Sequence, residues 1–166
     1  MKYWPMKNWS HRAVVGTFLL ALVPALSGCM VSAAEMQDNI TKFRASTSGQ
    51  YKSEAGAKLY IAPVRARMVT DEALYLERHD PNGTIVGRLL NVEVAEDGKT
   101  IVLRALVFTQ EGQWRNLREN PELFTALLPK DVRPAGKCDI KPSKDRDSLT
   151  YSCGGSPVEN FTRVTE

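Results

Sequence analysis

The sequence predicts an exported, all-β domain built as an antiparallel barrel or sandwich. Three observations point there. A basic and then apolar N-terminus ends in a cysteine, short β-branched and aromatic runs recur between Gly, Pro, Asn and Asp clusters, and a cysteine pair lies near the C-terminal end. Lys2, Lys7 and Arg12 precede an apolar stretch over residues 13–26, too short for the roughly 20 residues of a membrane-spanning helix. That stretch runs into Leu26-Ser27-Gly28-Cys29, a lipobox pattern. Residues 1–28 are therefore expected to be a lipoprotein signal, with Cys29 lipidated and first in the mature chain. Two or three acyl chains then anchor the domain without spanning the bilayer. The competing site is an ordinary signal cleavage at Val31-Ser32-Ala33, which also removes the chain from the cytoplasm. Met30, in place of an Asp that would favour the inner membrane, directs the expected location to the outer membrane, facing the periplasm.

Removing residues 1–28 from the 166 leaves 138, enough for one domain with a single modest core. The excised part carries three basic residues and no acidic one, so 19 basic residues of 22 stay, against 19 acidic. The mature chain is electrically balanced, and nothing in it suggests a nucleic-acid partner.

Residues 29–46 read as a tether and a short helix, with Met36, Ile40 and Phe43 spaced to share a helical face. Residues 47–166 read as the barrel domain. Strands are expected at 50–53, 59–69, 73–78, 85–95 and 100–108. Asp80-Pro81-Asn82-Gly83 and Glu96-Asp97-Gly98-Lys99 are turn sequences with glycine where positive φ is wanted, so the last three of these strands should form an antiparallel meander. Asn120 and Pro121 open a short helix that ends before Pro129. Beyond it, residues 137–140 and 149–153 suit a hairpin. With Cys29 committed to lipid, Cys138 and Cys153 are expected to pair in an oxidising compartment, closing a loop worth about 3 kcal/mol. The alternative, a metal site, has only His79 to recruit in the mature chain, and zinc wants four closely spaced ligands.

Phosphate-loop, dinucleotide and zinc-protease signatures are absent, no nucleophile motif accompanies His79, and no catalytic residue or cofactor is assigned. In the third strand Leu74, Leu76 and Arg78 alternate with Tyr75, Glu77 and His79, so one of the two sets faces a barrel interior. Arg65 and Arg67 share a face of the second strand, and Arg88 lies in the fourth. A carboxylate with arginines on an inner wall would orient a polar ligand in an apolar cup. The bland reading is that these charges are solvated on an outer face.

The order of several short motifs resembles the CpcT/CpeT family of phycobiliprotein chromophore lyases. They are Gly49-Gln50-Tyr51, the Ala-Pro-Val of strand two, Leu74-Tyr75-Leu76-Glu77, Trp114-Arg115 before Asn120-Pro121, Leu128-Pro129-Lys130-Asp131-Val132, and Gly136-Lys137-Cys138 with a second cysteine at 153. The resemblance covers residues 43–155. It implies a lipocalin-like antiparallel barrel with one or two short helices, whose calyx holds a linear tetrapyrrole and is lined by Tyr51, Arg65, Arg67, Tyr75, Glu77 and Arg88. Glu77 and Arg88 would be its polar pair. Ile85-Val86-Gly87 before Arg88 and Arg78 after Glu77 depart from the family pattern, and the chain lacks the family's later Gly-, Trp- and Phe-rich strands, so closure of the barrel is left open. Two functions follow. The first is a membrane-tethered module that binds a small apolar or tetrapyrrole-like ligand, with a homodimer as an option. The second is a lyase that attaches a bilin to a phycobiliprotein cysteine.

Overall fold

The computed structural model describes residues 31–110, 112, 114 and 116–165. Helix α1 (Ala33–Thr47) precedes strands β1 (Gly49–Ser53), β2 (Lys58–Ala66), β3 (Thr70–His79), β4 (Ile85–Val94), β5 (Ile101–Phe108), β6 (Val132–Pro142), β7 (Ser148–Cys153) and β8 (Glu159–Arg163). Each strand pairs antiparallel with its neighbours in sequence, and β8 pairs back onto β1, so the sheet is a closed lipocalin-like barrel of eight strands. The barrel is thus not left open. Residues 159–163, for which the sequence raised no strand expectation, supply the closing strand, with Tyr51 opposite Arg163 and Ser53 opposite Phe161.

The expected turns form where positive φ is needed. Gly83 (φ 86°) and Gly98 (φ 69°) donate back to the Asp80 and Ala95 carbonyls and reverse the chain between β3 and β4 and between β4 and β5. In the second turn the Asp97 carboxylate accepts from the Lys99 and Thr100 amides at 2.9 and 2.8 Å and from the Thr100 hydroxyl. Those bonds, the Thr100 hydroxyl first, hold the Asp97 carboxyl down at about 2.

Ser32 caps α1 in a reciprocal box with Glu35, in which the Glu35 amide donates to the Ser32 hydroxyl and the Ser32 amide to the Glu35 carboxylate. The helix lies across one end of the barrel. Asn39 donates to the Gly98 carbonyl at 3.3 Å, Gln37 to Glu72 at 2.7 Å, and Arg44 pairs with Glu72. Ile40 and Phe43 pack into the barrel core from there, as their spacing predicts. Arg163 ties the helix end to the closing strand. Its guanidinium donates to the carbonyls of Ser48 (2.7 Å), Ser46 (3.0 Å) and Arg146 (2.7 Å) and to the Tyr51 hydroxyl (2.7 Å), and it lies 4.9 Å from the Tyr51 ring centroid.

Two apolar clusters stabilise the barrel. The inner one draws residues from all eight strands, among them Leu59, Leu74, Leu76, Leu90, Leu103, Ile140, Tyr151 and Phe161. Leu74, Leu76 and Leu90 are 0% exposed, so no water-sized void touches them and the middle of the barrel is packed. The outer cluster lies on the opposite face of β2 to β5. There the long connection over residues 109–131, with 3-10 turns at Pro121–Ala126 and Pro129–Asp131, lays Leu117, Phe124 and Leu127 over Val64, Tyr75, Leu89 and Phe108. The short helix expected after Asn120 is this 3-10 turn, and Asn120 makes no side-chain cap.

Cys138 and Cys153 sit directly opposite each other on β6 and β7, with Cα atoms 4.0 Å apart, and are disulfide-bonded. Cys29 lies outside the described residues.

Candidate functional site at the barrel end opposite the helix

The turns at 54–57, 80–84 and 154–158 and the 109–131 connection gather at the end of the barrel away from α1. Leu74 and Leu76 point inward, so two-residue alternation carries Arg78 inward as well. Arg88 pairs with Leu76 across β3 and β4 and shares the inner face with Leu90. Two arginines therefore stand inside the same end of the barrel.

Their surroundings differ. Arg78 donates to Asp80 at 2.6 Å and to Glu159 at 2.9 Å, and its guanidinium carbon lies 5.8 and 5.9 Å from the Tyr151 and Phe161 ring centroids. Burial works against its charge, but bonds to Glu159 and then Asp80 outweigh it and hold the pKa up. Arg88 has no such partners among the described residues. Its Nε and Nη1 are buried and find no hydrogen-bond partner among the described residues. A Cβ added at Gly154 would sit 3.8 Å from Arg88 Nη1 and 3.9 Å from the Ala135 carbonyl oxygen, so bare backbone abuts the guanidinium on that side. Tyr151 completes the set; burial raises its phenol pKa, and the charges of Arg88 and Arg78 pull it back. Such a set can hold an anion at the Arg88 guanidinium, whose donors are not taken by a neighbouring carboxylate as those of Arg78 are.

The six residues expected to line one calyx do not come together. Tyr51 is inside but at the helix end, where its hydroxyl donates to the Thr47 carbonyl at 2.9 Å and accepts from Arg163. Arg65 and Arg67 are exposed: Arg65 keeps the parity of Leu59 and Ile61 but lies near the end of β2, where its pairing with β3 shifts register, and Arg67 falls beyond the strand. Tyr75 and Glu77 face outward, beneath the 109–131 connection. Arg88 alone of the six is inside the barrel at the end described here. Glu77 and Arg88 are thus on opposite faces of the sheet, and a Glu77–Arg88 pair does not form.

Glu77 is nonetheless buried, at 8% exposure, and its partners are local. It accepts from the Tyr75 hydroxyl at 2.8 Å, lies 2.6 Å from His79 Nε2, and has Arg118 Nη1 at 4.0 Å. Arg118 in turn stacks 4.4 Å over the Tyr60 ring. Burial, and then the bond to Glu77, pushes the Tyr75 phenol far above its usual range. This network anchors the connection to the barrel's outer wall.

Sequence reasoning missed Arg78, Tyr151 and the Asp80–Arg78–Glu159 link. The signal was present for Arg78, since it shares its parity with two leucines. No group of three or more His, Cys, Asp or Glu residues able to hold a metal occurs among the described residues, and no helix there is long and apolar enough to cross a membrane. Comparison with family models, with characterised proteins and with solved structures finds no match to this chain.

Proposed function

We propose that this protein is an exported, membrane-tethered binding module of the CpcT/CpeT kind, anchored by lipid on Cys29, which holds a small apolar or tetrapyrrole-like ligand at the Arg88 end of its barrel. The observation that carries this reading is the pair of buried Arg88 nitrogens with no partner among the described residues. An unpaired buried cation is costly, and a carboxylate is the group whose geometry fits a guanidinium best. A linear tetrapyrrole offers such carboxylates on an apolar, planar body. The ligand rests at the barrel end rather than deep in a calyx, because the interior between Leu76 and Leu90 is filled. The inward polar side chains are arginines and a tyrosine, which suits holding a ligand more than transferring it to an acceptor.

The test is an absorbance titration of the purified protein with biliverdin, comparing wild type, Arg88→Met and Glu77→Gln. A saturable shift is expected for wild type, weakened at least tenfold by Arg88→Met and little changed by Glu77→Gln, whose side chain is on the outer face. No saturable shift for wild type removes the tetrapyrrole, and a shift that Arg88→Met leaves intact removes the site.

A further inference from the structure

Two adjoining clefts of about 360 and 270 Å³ open in the barrel wall near the helix end. They form where β5 and β6 part. Leu103 faces Cys138, but Ile101 and Val102 have no partner on β6 and pair only with Val94 and Glu93 of β4. Across the gap, residues 139–142 pair only with β7. Phe43 of α1, Ile101, Leu103, Ile140 and Pro142 line the larger cleft with apolar surface. Its rim carries the exposed Asp139–Lys141 ion pair, 2.9 Å apart. Its size lies within the roughly 300–1,000 Å³ of small-ligand sites, and water is a poor occupant for such walls.

The chain itself brings a candidate to this opening. The Val31 side chain packs against Gly98, where an added Cβ would collide with it, and Gly98 is two residues from Thr100 on the cleft wall. Cys29 stands two residues before Val31, a span of at most about 7 Å of extended chain. We infer that the cleft between β5 and β6 receives one acyl chain of the lipid carried by Cys29. This rests on the anchoring reading above. A lipid is favoured over a polar ligand because the lining side chains are mainly aliphatic and aromatic, with Thr100 and the exposed Asp139–Lys141 pair the polar exceptions. The consequence is a divided anchor: one chain sheltered in the protein leaves fewer in the bilayer and weakens the hold on it.

The experiment uses the full protein purified from a bacterium that processes lipoproteins, beside a Cys29→Ala form lacking lipid. The N-terminal mass is measured first, then amide hydrogen exchange of both forms in the same detergent. The lipidated form is expected to exchange at least tenfold more slowly at residues 101–103 and 139–141, with little change in the turn at 143–147. Ile101→Glu, which places a charge on the cleft wall, should abolish the protection while the lipid stays attached. A lipidated N-terminus with equal exchange in the two forms overturns the inference and leaves the anchor standing. Slowing spread evenly over the turns at 67–69 and 143–147 also overturns it, since that marks contact of the whole end with detergent. An N-terminal mass without lipid overturns both readings.

Discussion

Replacing Arg88 with methionine tests the candidate site without any ligand. The side chain keeps much of its length and apolar stem but loses its charge and donors. In the native chain Arg88 Nε and Nη1 are buried without partners among the described residues, and each unmet buried donor costs about 1–3 kcal/mol. Arg88 is only partly buried as a residue, so part of its charge is solvated and the lower end of that range applies. Substituting well-packed apolar groups for buried charge typically stabilises by about 1–4 kcal/mol. We therefore expect Arg88→Met to stabilise the ligand-free protein by about 2 kcal/mol, or roughly 1 M in the urea midpoint for an m-value near 2 kcal/mol/M. Equilibrium urea unfolding followed by circular dichroism, with an unchanged m-value, measures it. A clear destabilisation would show that Arg88 is satisfied in the empty barrel, and the site would lose the observation on which it rests. A gain in stability together with a loss of biliverdin binding is the pattern of a residue kept for a ligand.

Three further outcomes follow from the same geometry. Cys138→Ser opens the β6–β7 clasp and is expected to cost about 2–5 kcal/mol, while thiol labelling of the folded native chain modifies neither Cys138 nor Cys153. Asp97 has its folded pKa lowered to about 2, so its contribution to stability is full above the unfolded value and is lost as pH falls through that folded value. Asp97→Ala should then flatten the acid side of the stability profile between about pH 4 and pH 2, read from thermal unfolding at stepped pH, whereas an unchanged slope there would count against the turn bonds. Phe124, 1% exposed and 5.0 Å from the Tyr75 ring, holds the connection down, and Phe124→Ala is expected to cost about 3–5 kcal/mol. The same change should bring the Tyr75 phenol back toward its ordinary range in an ultraviolet titration, and a Tyr75 still silent at high pH would argue against the cover.

Local chemistry made most of the barrel legible. The glycine turns at 83 and 98, the helical spacing of Ile40 and Phe43, and the opposed cysteines depend on neighbours in sequence, and each appears where expected. The inward and outward faces did not follow as readily. Residues Ala73, Leu74, Tyr75, Leu76 and Glu77 of β3 are all buried, because the core covers one face and the 109–131 connection the other. A strand covered on both sides loses the polar alternation that would mark its outer face. The apolar outward residues Tyr75, Leu89 and Phe108 were the available clue to that cover. Glu77 was assigned inward by resemblance, whereas the parity of Leu74 and Leu76 already favoured Arg78. The closing strand was hidden because only Phe161 of its five residues is buried, which leaves no pattern to read.

The join between β1 and β8 has a consequence for how the protein folds and fails. Every other pairing in the barrel links strands adjacent in sequence, and all but β5–β6, which spans the 109–131 connection, are hairpins with little loop to close. The join must bring Tyr51 to Arg163 across nearly the whole domain, through only three paired positions. It should form late and open first. Until Arg163 reaches the carbonyls of Ser46 and Ser48, β1 and β8 are bare edges, each able to template another chain. The fastener that completes the barrel is thus also the point at which the monomer is kept from aggregating.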